Sequence, residues 1–346
     1  MRDRIIASRH RITLAAVIQL ALAGAVAAQT PEAAAALDDD ERQAVVVRIN
    51  ELLGERYVYP AVGEEAGADL IARLEAGEFD GISDPEAFAG RLTEALQGVS
   101  NDKHLRIFVR PPERTQLERE DPALARARAA ARARERNYGF EKVERLDGNV
   151  GYVEMRYFDG GPDAKPTAAA AMNFLANADA IIFDMRRNGG GSPEMIRYVS
   201  SWFFGEPTHL NSLYWRAGER TAEFWTYDDI PGVKRPDVPL FVLTSSLTFS
   251  GAEEFSYNMR TRERATLIGE VTGGGANPGG TVPINERFEV FIPVGAAVNP
   301  ITGTNWEGVG VTPHIEVPAD EALDLALERA RAAAEAYRSK HGPSGR

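Results

Sequence analysis

The stretch Leu240-Phe-Val-Leu-Thr-Ser-Ser-Leu-Thr-Phe-Ser-Gly-Ala-Glu-Glu-Phe255 combines a strand, a polar corner and a helix start. Its apolar run predicts a buried strand, and Ser250 with the residues after it predicts the beginning of a helix. A serine at such a corner projects its hydroxyl from the scaffold, while the first N–H groups of the helix stay available to a docked oxygen. The pattern therefore indicates a nucleophile, although an ordinary helix cap explains the same residues.

The composition limits the class of protein. The chain has 346 residues, of which 44% are hydrophobic, enough for one large domain with a smaller companion. It contains no cysteine, which excludes disulfides and thiolate catalysis. Its net charge of -12 argues against nucleic acid as a partner.

Residues 1–28 have the pattern of a secretory signal peptide. Four arginines precede an apolar run that ends in small residues, with Ala25-Val26-Ala27 as the predicted cleavage motif. An uncleaved anchor is the alternative, but the run is short for a bilayer span and Gln19 interrupts it. The sequence therefore predicts export to the periplasm, with no stable membrane insertion after cleavage. Removal of this segment would change the net charge to about -15.

The rest of the chain divides into four predicted parts. They are a small N-terminal helical domain (29–110), an Arg/Ala-rich linker (111–146), an α/β core (147–320), and a C-terminal helix and tail (321–346). For the linker, a solvated helix or mobile segment is favoured over a specific anion site. In the core, a strand at 150–155, a helix at 167–175 and a strand at 180–184 indicate a parallel α/β unit. A further strand is predicted within 305–314.

A glycine-rich loop, residues 188–192, follows the second of these strands. Consecutive glycines expose backbone N–H groups and permit close approach by a ligand. A phosphate-binding loop is the rival interpretation, but the Gly-Lys-Ser/Thr ending is absent and the spacing does not match a dinucleotide fingerprint. A donor loop for an oxyanion, or a backbone rail for an extended peptide, fits better.

A serine nucleophile needs a neighbouring base, normally histidine or lysine. The five histidines are at positions 10, 104, 209, 314 and 341. The first belongs to the signal segment, the last to a polar tail, and those at 209 and 314 to predicted solvent-facing loops. His104, at a polar corner before a predicted strand, is the best base by context, although a lone histidine is more often structural. Glu307, in a glycine-rich turn, is the candidate carboxylate partner, with a surface loop residue as the alternative.

Four separated motifs together resemble peptidase family S41. They occur in the family's order between about residues 40 and 335, at positions 102–105, 184–191, 249–254 and 307–313. The family comprises the C-terminal processing proteases, the tricorn core and the interphotoreceptor retinoid-binding protein modules. The resemblance implies an α/β fold with a ClpP/crotonase-like core, preceded by a small helical S41 N-terminal domain. It implies a peptide or unfolded protein as substrate, and no cofactor or metal.

The family divides according to its catalytic base. The processing proteases use a Ser–Lys dyad, and the position of that lysine corresponds to Gly275 here, so the dyad is missing. The tricorn-like branch uses serine, histidine and glutamate, and the matching residues are Ser250, His104 and Glu307. By this resemblance the serine attacks, the histidine transfers the proton and the glutamate orients the histidine.

The same resemblance implies that the N–H groups of Gly251 and of Gly189 or Gly190 stabilise the oxyanion. Processing proteases also carry a PDZ domain after the helical domain, but residues 111–146 are too few for one. Selectivity for a peptide is therefore expected from the cleft and from residues 205–238, a predicted hairpin-like insertion or lid. His314 replaces an aspartate that is usual in relatives, a difference that concerns loop structure more than chemistry.

Three functions remain open at this point. The first is an exported serine peptidase that acts through an acyl-enzyme intermediate. The second is a non-catalytic binder of hydrophobic small molecules such as retinoids or fatty acids, and the complete Ser-His-Glu set favours the peptidase over it. The third, crotonase-type acyl-CoA chemistry, depends on fold alone. The oligomeric state and the sequence preference for a substrate do not follow from the sequence.

Overall fold

The computed structural model of this protein describes residues 36–111 and 121–342. The predicted signal peptide, residues 1–28, lies outside the described residues. Among the helices of the described ranges, none has the length and apolar character needed to cross a bilayer.

The described residues form helices and strands in the following order. The helices are α1 (Asp39–Arg56), α2 (Pro60–Glu75), α3 (Pro85–Ser100), α4 (Pro122–Glu135), α5 (Ala164–Phe174), α6 (Pro193–Ser200), α7 (Gly251–Thr261) and α8 (Ala322–His341). The strands are β1 (Arg106–Val109), β2 (Phe140–Leu146), β3 (Val150–Met155), β4 (Ala180–Asp184), β5 (His209–Trp215), β6 (Arg220–Trp225), β7 (Leu240–Thr244), β8 (Thr266–Gly269), β9 (Gly279–Pro283), β10 (Phe288–Pro293), β11 (Gly295–Val298) and β12 (Ile315–Glu316).

The main sheet has six strands in the order β12-β8-β7-β4-β3-β2. All of its pairs are parallel except β2 with β3, and the predicted parallel unit from β3 through α5 to β4 is confirmed. Helices α5, α6 and α7 bury their apolar residues in one core, and α8 buries its own in a second core that includes residues of β3, β4 and β7. The predicted α/β fold is therefore confirmed.

Helix α8 packs through a row of alanines spaced four residues apart. The four alanines of this row are fully buried: Ala322, Ala326, Ala330 and Ala334. Residues at this spacing share one face of a helix, and their short side chains allow the helix to approach the sheet closely. This face accounts for the predicted amphipathic C-terminal helix.

A second sheet joins the N-terminal helices to the core. Its order is β1-β10-β9, and β1 pairs antiparallel with β10. The helices α1, α2 and α3 share one hydrophobic core with residues of β1 and β10. The predicted helical domain therefore contributes a strand to a sheet that the C-terminal half completes.

Within the predicted linker, residues 111–146, the described residues include a helix and a strand of different character. Helix α4 buries none of its residues, as expected for a solvated helix. Strand β2, by contrast, pairs with β3 along the edge of the main sheet, so residues 140–146 belong to the core. Most residues of β2 are charged and partly or fully exposed. Charged residues protect an edge strand, and they also made this strand look like a linker in the sequence.

Two further expectations have different outcomes. Residues 205–238 contain the hairpin of β5 and β6, which pairs with β11 in a third sheet.

The strand predicted within 305–314 is wrong, because these residues form turns and loop and the short β12 begins only at Ile315. Gly308 and Gly310 have φ values of 71° and 73°, which no regular strand accommodates.

Candidate active site

Ser250 lies where the chain turns from β7 into α7. The corner before it is attached to the end of β4, because the Thr248 hydroxyl donates to the Met185 carbonyl (2.9 Å) and the Phe249 N–H to the Asn188 carbonyl (3.1 Å). Ser250 is the N-cap residue of α7, with φ 53° and ψ -120°. A residue with a side chain rarely adopts this conformation, which costs roughly 1–3 kcal/mol and concentrates at functional sites. The strain favours a nucleophile over a cap alone.

The glycine-rich loop passes directly beside this serine. A Cβ atom on Gly190 would lie 2.8 Å from the Ser250 Cβ atom, and one on Gly251 would lie 2.8 Å from the Gly191 nitrogen. Gly190 and Gly191 also have φ values of 110° and 134°, which favour glycine. The close contact between the loop and the start of α7 therefore depends on the absence of side chains.

Two backbone N–H groups next to Ser250 have no acceptor among the residues that the structure describes. Gly251 is the first residue of α7, so its N–H has no intrahelical acceptor. The Gly191 N–H has no backbone acceptor among the described residues. The Gly190 N–H donates to an asparagine side chain of its own loop (2.9 Å), and the Gly189 N–H donates to a backbone carbonyl (3.3 Å). In this conformation Gly251 and Gly191 are better placed as oxyanion donors than the predicted Gly189 and Gly190.

His104 lies in the corner between α3 and β1. Its ring packs between two phenylalanines, with centroid distances of 4.6 Å to Phe249 and 5.5 Å to Phe291. Because Phe249 precedes Ser250 and Phe291 lies in β10, the pairing of β1 with β10 carries His104 to the predicted nucleophile. Burial lowers the pKa of His104, and the charge of Asp102 opposes this effect. The imidazole is therefore neutral at pH 7, as a general base must be.

His209 and His314 lie away from the candidate site. The His209 ring stacks on Trp225 (4.9 Å between centroids), and its Nε2 atom lies 2.9 Å from the Ser212 hydroxyl. The His314 Nδ1 atom accepts a hydrogen bond from the Leu267 N–H (3.0 Å). Both make contacts that explain them as structural residues. His314 is exposed and outside any strand, as predicted, but His209 begins β5 and is only partly exposed, so its predicted place in a solvent-facing loop is wrong.

Glu307 is held next to His104 by backbone hydrogen bonds. Its carboxylate accepts three N–H groups, from Ala276 (2.5 Å), Asn277 (2.9 Å) and Lys103 (3.2 Å). Burial raises the pKa of Glu307 to about 7, and the charge of Asp102 adds to the increase. The carboxylate thus changes its charge near neutral pH.

One ring nitrogen of His104 and one carboxylate oxygen each of Asp102 and Glu307 form a cluster, in which these atoms lie within 4.8 Å of one another. No hydrogen bond joins His104 to Glu307, and the His104 Nδ1 atom is buried without a partner among the described residues. Catalytic hydrogen bonds are often long before substrate binds and shorten afterwards. The cluster could also admit a metal ion, but hydrogen-bond donors already occupy its carboxylate oxygens.

Asp102 has a supporting position that the sequence analysis did not identify. It is fully buried and accepts hydrogen bonds from the Tyr57 hydroxyl (2.9 Å), the Asn277 amide (2.8 Å) and the His104 N–H (3.0 Å). These bonds fix the backbone that carries the histidine. The available signal was an acidic residue two positions before His104, a pattern that turns also show.

Glu253 is the second residue that the sequence analysis missed. Its buried carboxylate accepts the N–H groups of Ser250 (2.8 Å), Gly274 (2.7 Å) and Gly275 (2.8 Å) and the hydroxyl of Thr272. Burial raises the pKa of Glu253 to about 7 against these hydrogen bonds. The residue therefore joins the predicted nucleophile to the loop beside His104. Its spacing, three residues after a serine, is also that of a capping box.

Comparison with known proteins relates this chain to a family. The model of peptidase family S41 matches residues 149–317, and the model of the N-terminal domain of peptidase S41 in eukaryotic interphotoreceptor retinoid-binding protein matches residues 37–138. A carboxyl-terminal-processing protease of Picosynechococcus sp. is 27% identical over 138 residues, which are 39% of this chain and 31% of that protein. A carboxy-terminal-processing protease of Bartonella bacilliformis is 23% identical over 177 residues, 50% of this chain and 40% of that protein. The matches thus span less than half of either relative.

Solved structures show the same fold. A putative peptidase from Parabacteroides merdae has a TM-score of 0.59 at 16% identity, with 85% of this chain and 97% of that chain covered. The tricorn protease has a TM-score of 0.52 at 13% identity, with 86% of this chain and 37% of that chain covered. Both halves of the chain thus match peptidase S41 models, and the fold matches peptidase structures. The chain belongs to peptidase family S41.

Proposed function

We propose that this chain is an exported serine peptidase that hydrolyses peptide bonds through an acyl-enzyme on Ser250. The observation that carries the proposal is the strained backbone of Ser250 at the start of α7, next to two free N–H groups. Any helix start leaves the N–H of its first residue free, but a helix cap alone needs no strained backbone. The membership of peptidase family S41 and the signal-peptide pattern of residues 1–28 support the two parts of the proposal.

The proposed reaction assigns one role to each residue of the candidate site. The Ser250 hydroxyl attacks the substrate carbonyl carbon, and its proton passes to His104, which is neutral because of its burial. The N–H groups of Gly251 and Gly191 stabilise the resulting oxyanion. His104 then protonates the leaving amine, and a water molecule releases the acyl group with the same residue as base. Glu307 orients the imidazole and stabilises its charged form.

Hydrolysis of an unfolded protein tests this proposal. We expect the purified protein to release peptides with new α-amino groups from reduced, carboxymethylated casein. The Ser250→Ala variant should be slower by about 10⁶-fold, because removal of the nucleophile leaves only binding and oxyanion stabilisation. Mass spectrometry of the products measures both rates. Equal rates for the two proteins, or no cleavage by either, would contradict the proposal.

The pH dependence of the reaction gives a second prediction. We expect kcat/KM to rise with pH around a midpoint of about 7, because Glu307 must be ionised to pair with imidazolium and burial raises its pKa to about 7. His104 does not set this midpoint, since burial lowers its pKa. Glu253, whose pKa is also raised to about 7, titrates in the same range.

The Glu307→Gln variant separates these two carboxyl groups. Its residual activity should lack the step near pH 7 if Glu307 causes it, and should keep the step if Glu253 does. Initial rates between pH 5 and pH 9 on a fluorogenic peptide provide the measurement. A midpoint that persists in Glu307→Gln would exclude the assigned role of Glu307.

A further inference from the structure

A groove with a volume of about 760 Å³ lies between α3 and the loop 246–249, above β1. This volume is within the range of small-molecule and peptide sites. The residues of the hairpin β5–β6 do not line it. The sequence analysis expected selectivity from that hairpin, and the groove belongs instead to the N-terminal part of the chain.

The groove reaches the proposed active site. Three of its lining residues adjoin catalytic groups: Lys103 precedes His104, Phe249 precedes Ser250, and Gly273 belongs to the loop that Glu253 holds. A chain that occupies the groove would therefore continue towards the nucleophile.

The two walls of the groove differ in size and polarity. Helix α3 contributes three small residues, Ala89, Gly90 and Thr93, and three larger polar ones, Glu86, Glu94 and Gln97. A Cβ atom on Gly90 would meet no atom within 4 Å. Leu247, in the loop opposite α3, is 68% exposed, and Phe108, in β1, is 38% exposed. Exposed apolar side chains beside an open space are typical of a binding site. The lining residues carry charges of both signs, so neither sign is favoured in a ligand.

One edge of β1 borders this space. The Arg110 N–H donates to the Arg287 carbonyl (2.7 Å) in register with the pairing of β1 and β10, so alternate residues bond to β10. Ile107 and Val109 therefore direct their backbone groups to the other edge. The Ile107 N–H donates to the Thr93 hydroxyl (3.0 Å). The Ile107 carbonyl and both backbone groups of Val109 have no partner among the described residues. Such an edge can pair with another extended chain.

We infer that this groove binds the substrate as an extended polypeptide that adds a strand to β1 and places apolar side chains between Leu247 and Phe108. This inference rests on the proposed function, because the bound polypeptide is a substrate only if the chain is a peptidase. It identifies the substrate class as unfolded segments long enough to fill the groove, with apolar residues at alternate positions. Short substrates that contact only the Ser250 region gain nothing from it.

Two tryptophan variants on one helix test the inference. Gly90 and Gly98 are both exposed glycines of α3, and a Cβ atom on either would meet no atom within 4 Å, but only Gly90 lines the groove. The probe is a fluorescein-labelled 14-residue peptide with alternating apolar and polar residues. Its binding to Ser250→Ala protein is measured by fluorescence anisotropy, with and without each second substitution. Hydrolysis of the peptide and fluorophosphonate labelling are measured with Ser250 present.

We expect Gly90→Trp to weaken peptide binding and raise KM by about tenfold or more, with an unchanged rate of fluorophosphonate labelling at Ser250. Gly98→Trp should behave like the parent protein. Unchanged peptide affinity in Gly90→Trp would overturn the inference, as would an equal loss of peptide affinity in Gly98→Trp. If Ser250 takes no label while Gly90→Trp still weakens binding, the groove assignment stands and the proposed hydrolysis fails.

Discussion

Replacement of His104 by alanine is expected to lower kcat for peptide hydrolysis by about 10⁶-fold, because the serine hydroxyl then has no base to accept its proton. The neutral imidazole lies against Phe249, directly before the nucleophile, and the other described histidines make structural contacts. The measurement is the initial rate on a fluorogenic peptide, with circular dichroism as a check of the fold.

His209→Gln is the matched control for this variant. His209 stacks on Trp225 in the β5–β6 hairpin, and its removal should leave kcat within about twofold. An active His104→Ala protein would mean that another group, such as a lysine, serves as the base. An inactive His209→Gln protein would show instead that loss of a histidine acts through folding.

Replacement of Gly275 by alanine is expected to lower kcat by about 100-fold or more, although the change adds only one methyl group. A Cβ atom at this position would lie 2.3 Å from the Phe249 Cζ atom and 2.7 Å from the His104 Cε1 atom. Both rings must move, and a displacement of about 1 Å at a catalytic group costs about 100-fold in rate. The family resemblance implies that this is the position of the lysine in the Ser–Lys branch. A Cβ atom here and His104 in its present place exclude each other.

Gly280→Ala is the control in the same part of the chain. Gly280 is exposed, and a Cβ atom on it would meet no atom within 4 Å. Steady-state kinetics and thermal unfolding of both variants separate a catalytic effect from a stability effect. If Gly275→Ala retains full kcat with an unchanged melting temperature, the His104 position described here is not the catalytic one.

Local features of the fold were predictable from the sequence because neighbouring residues determine them. The strand before Ser250, the helix after it and the parallel unit of β3, α5 and β4 depend on short apolar runs and their spacing. The pairing of β1 with β10 joins distant parts of the chain and depends on burial on both strands. Sequence periodicity gives no register for such a pair.

The candidate site was likewise only partly predictable from the sequence. Ser250 was recognisable at its corner, whereas His104 and Glu307 came from elimination and from the family resemblance. The supporting carboxylates of Asp102 and Glu253 were not predicted, because acidic residues at these spacings also serve as turn and cap residues. The choice among the loop glycines depends on which N–H groups are already bonded, and only the backbone conformation determines that.

Fluorophosphonate labelling, located by mass spectrometry, tests the central claim most directly. The account predicts one modified residue, Ser250, and a labelling rate that falls by about 100-fold or more in folded His104→Ala protein. Labelling of a different serine, or equal labelling rates for Ser250 with and without His104, would contradict it.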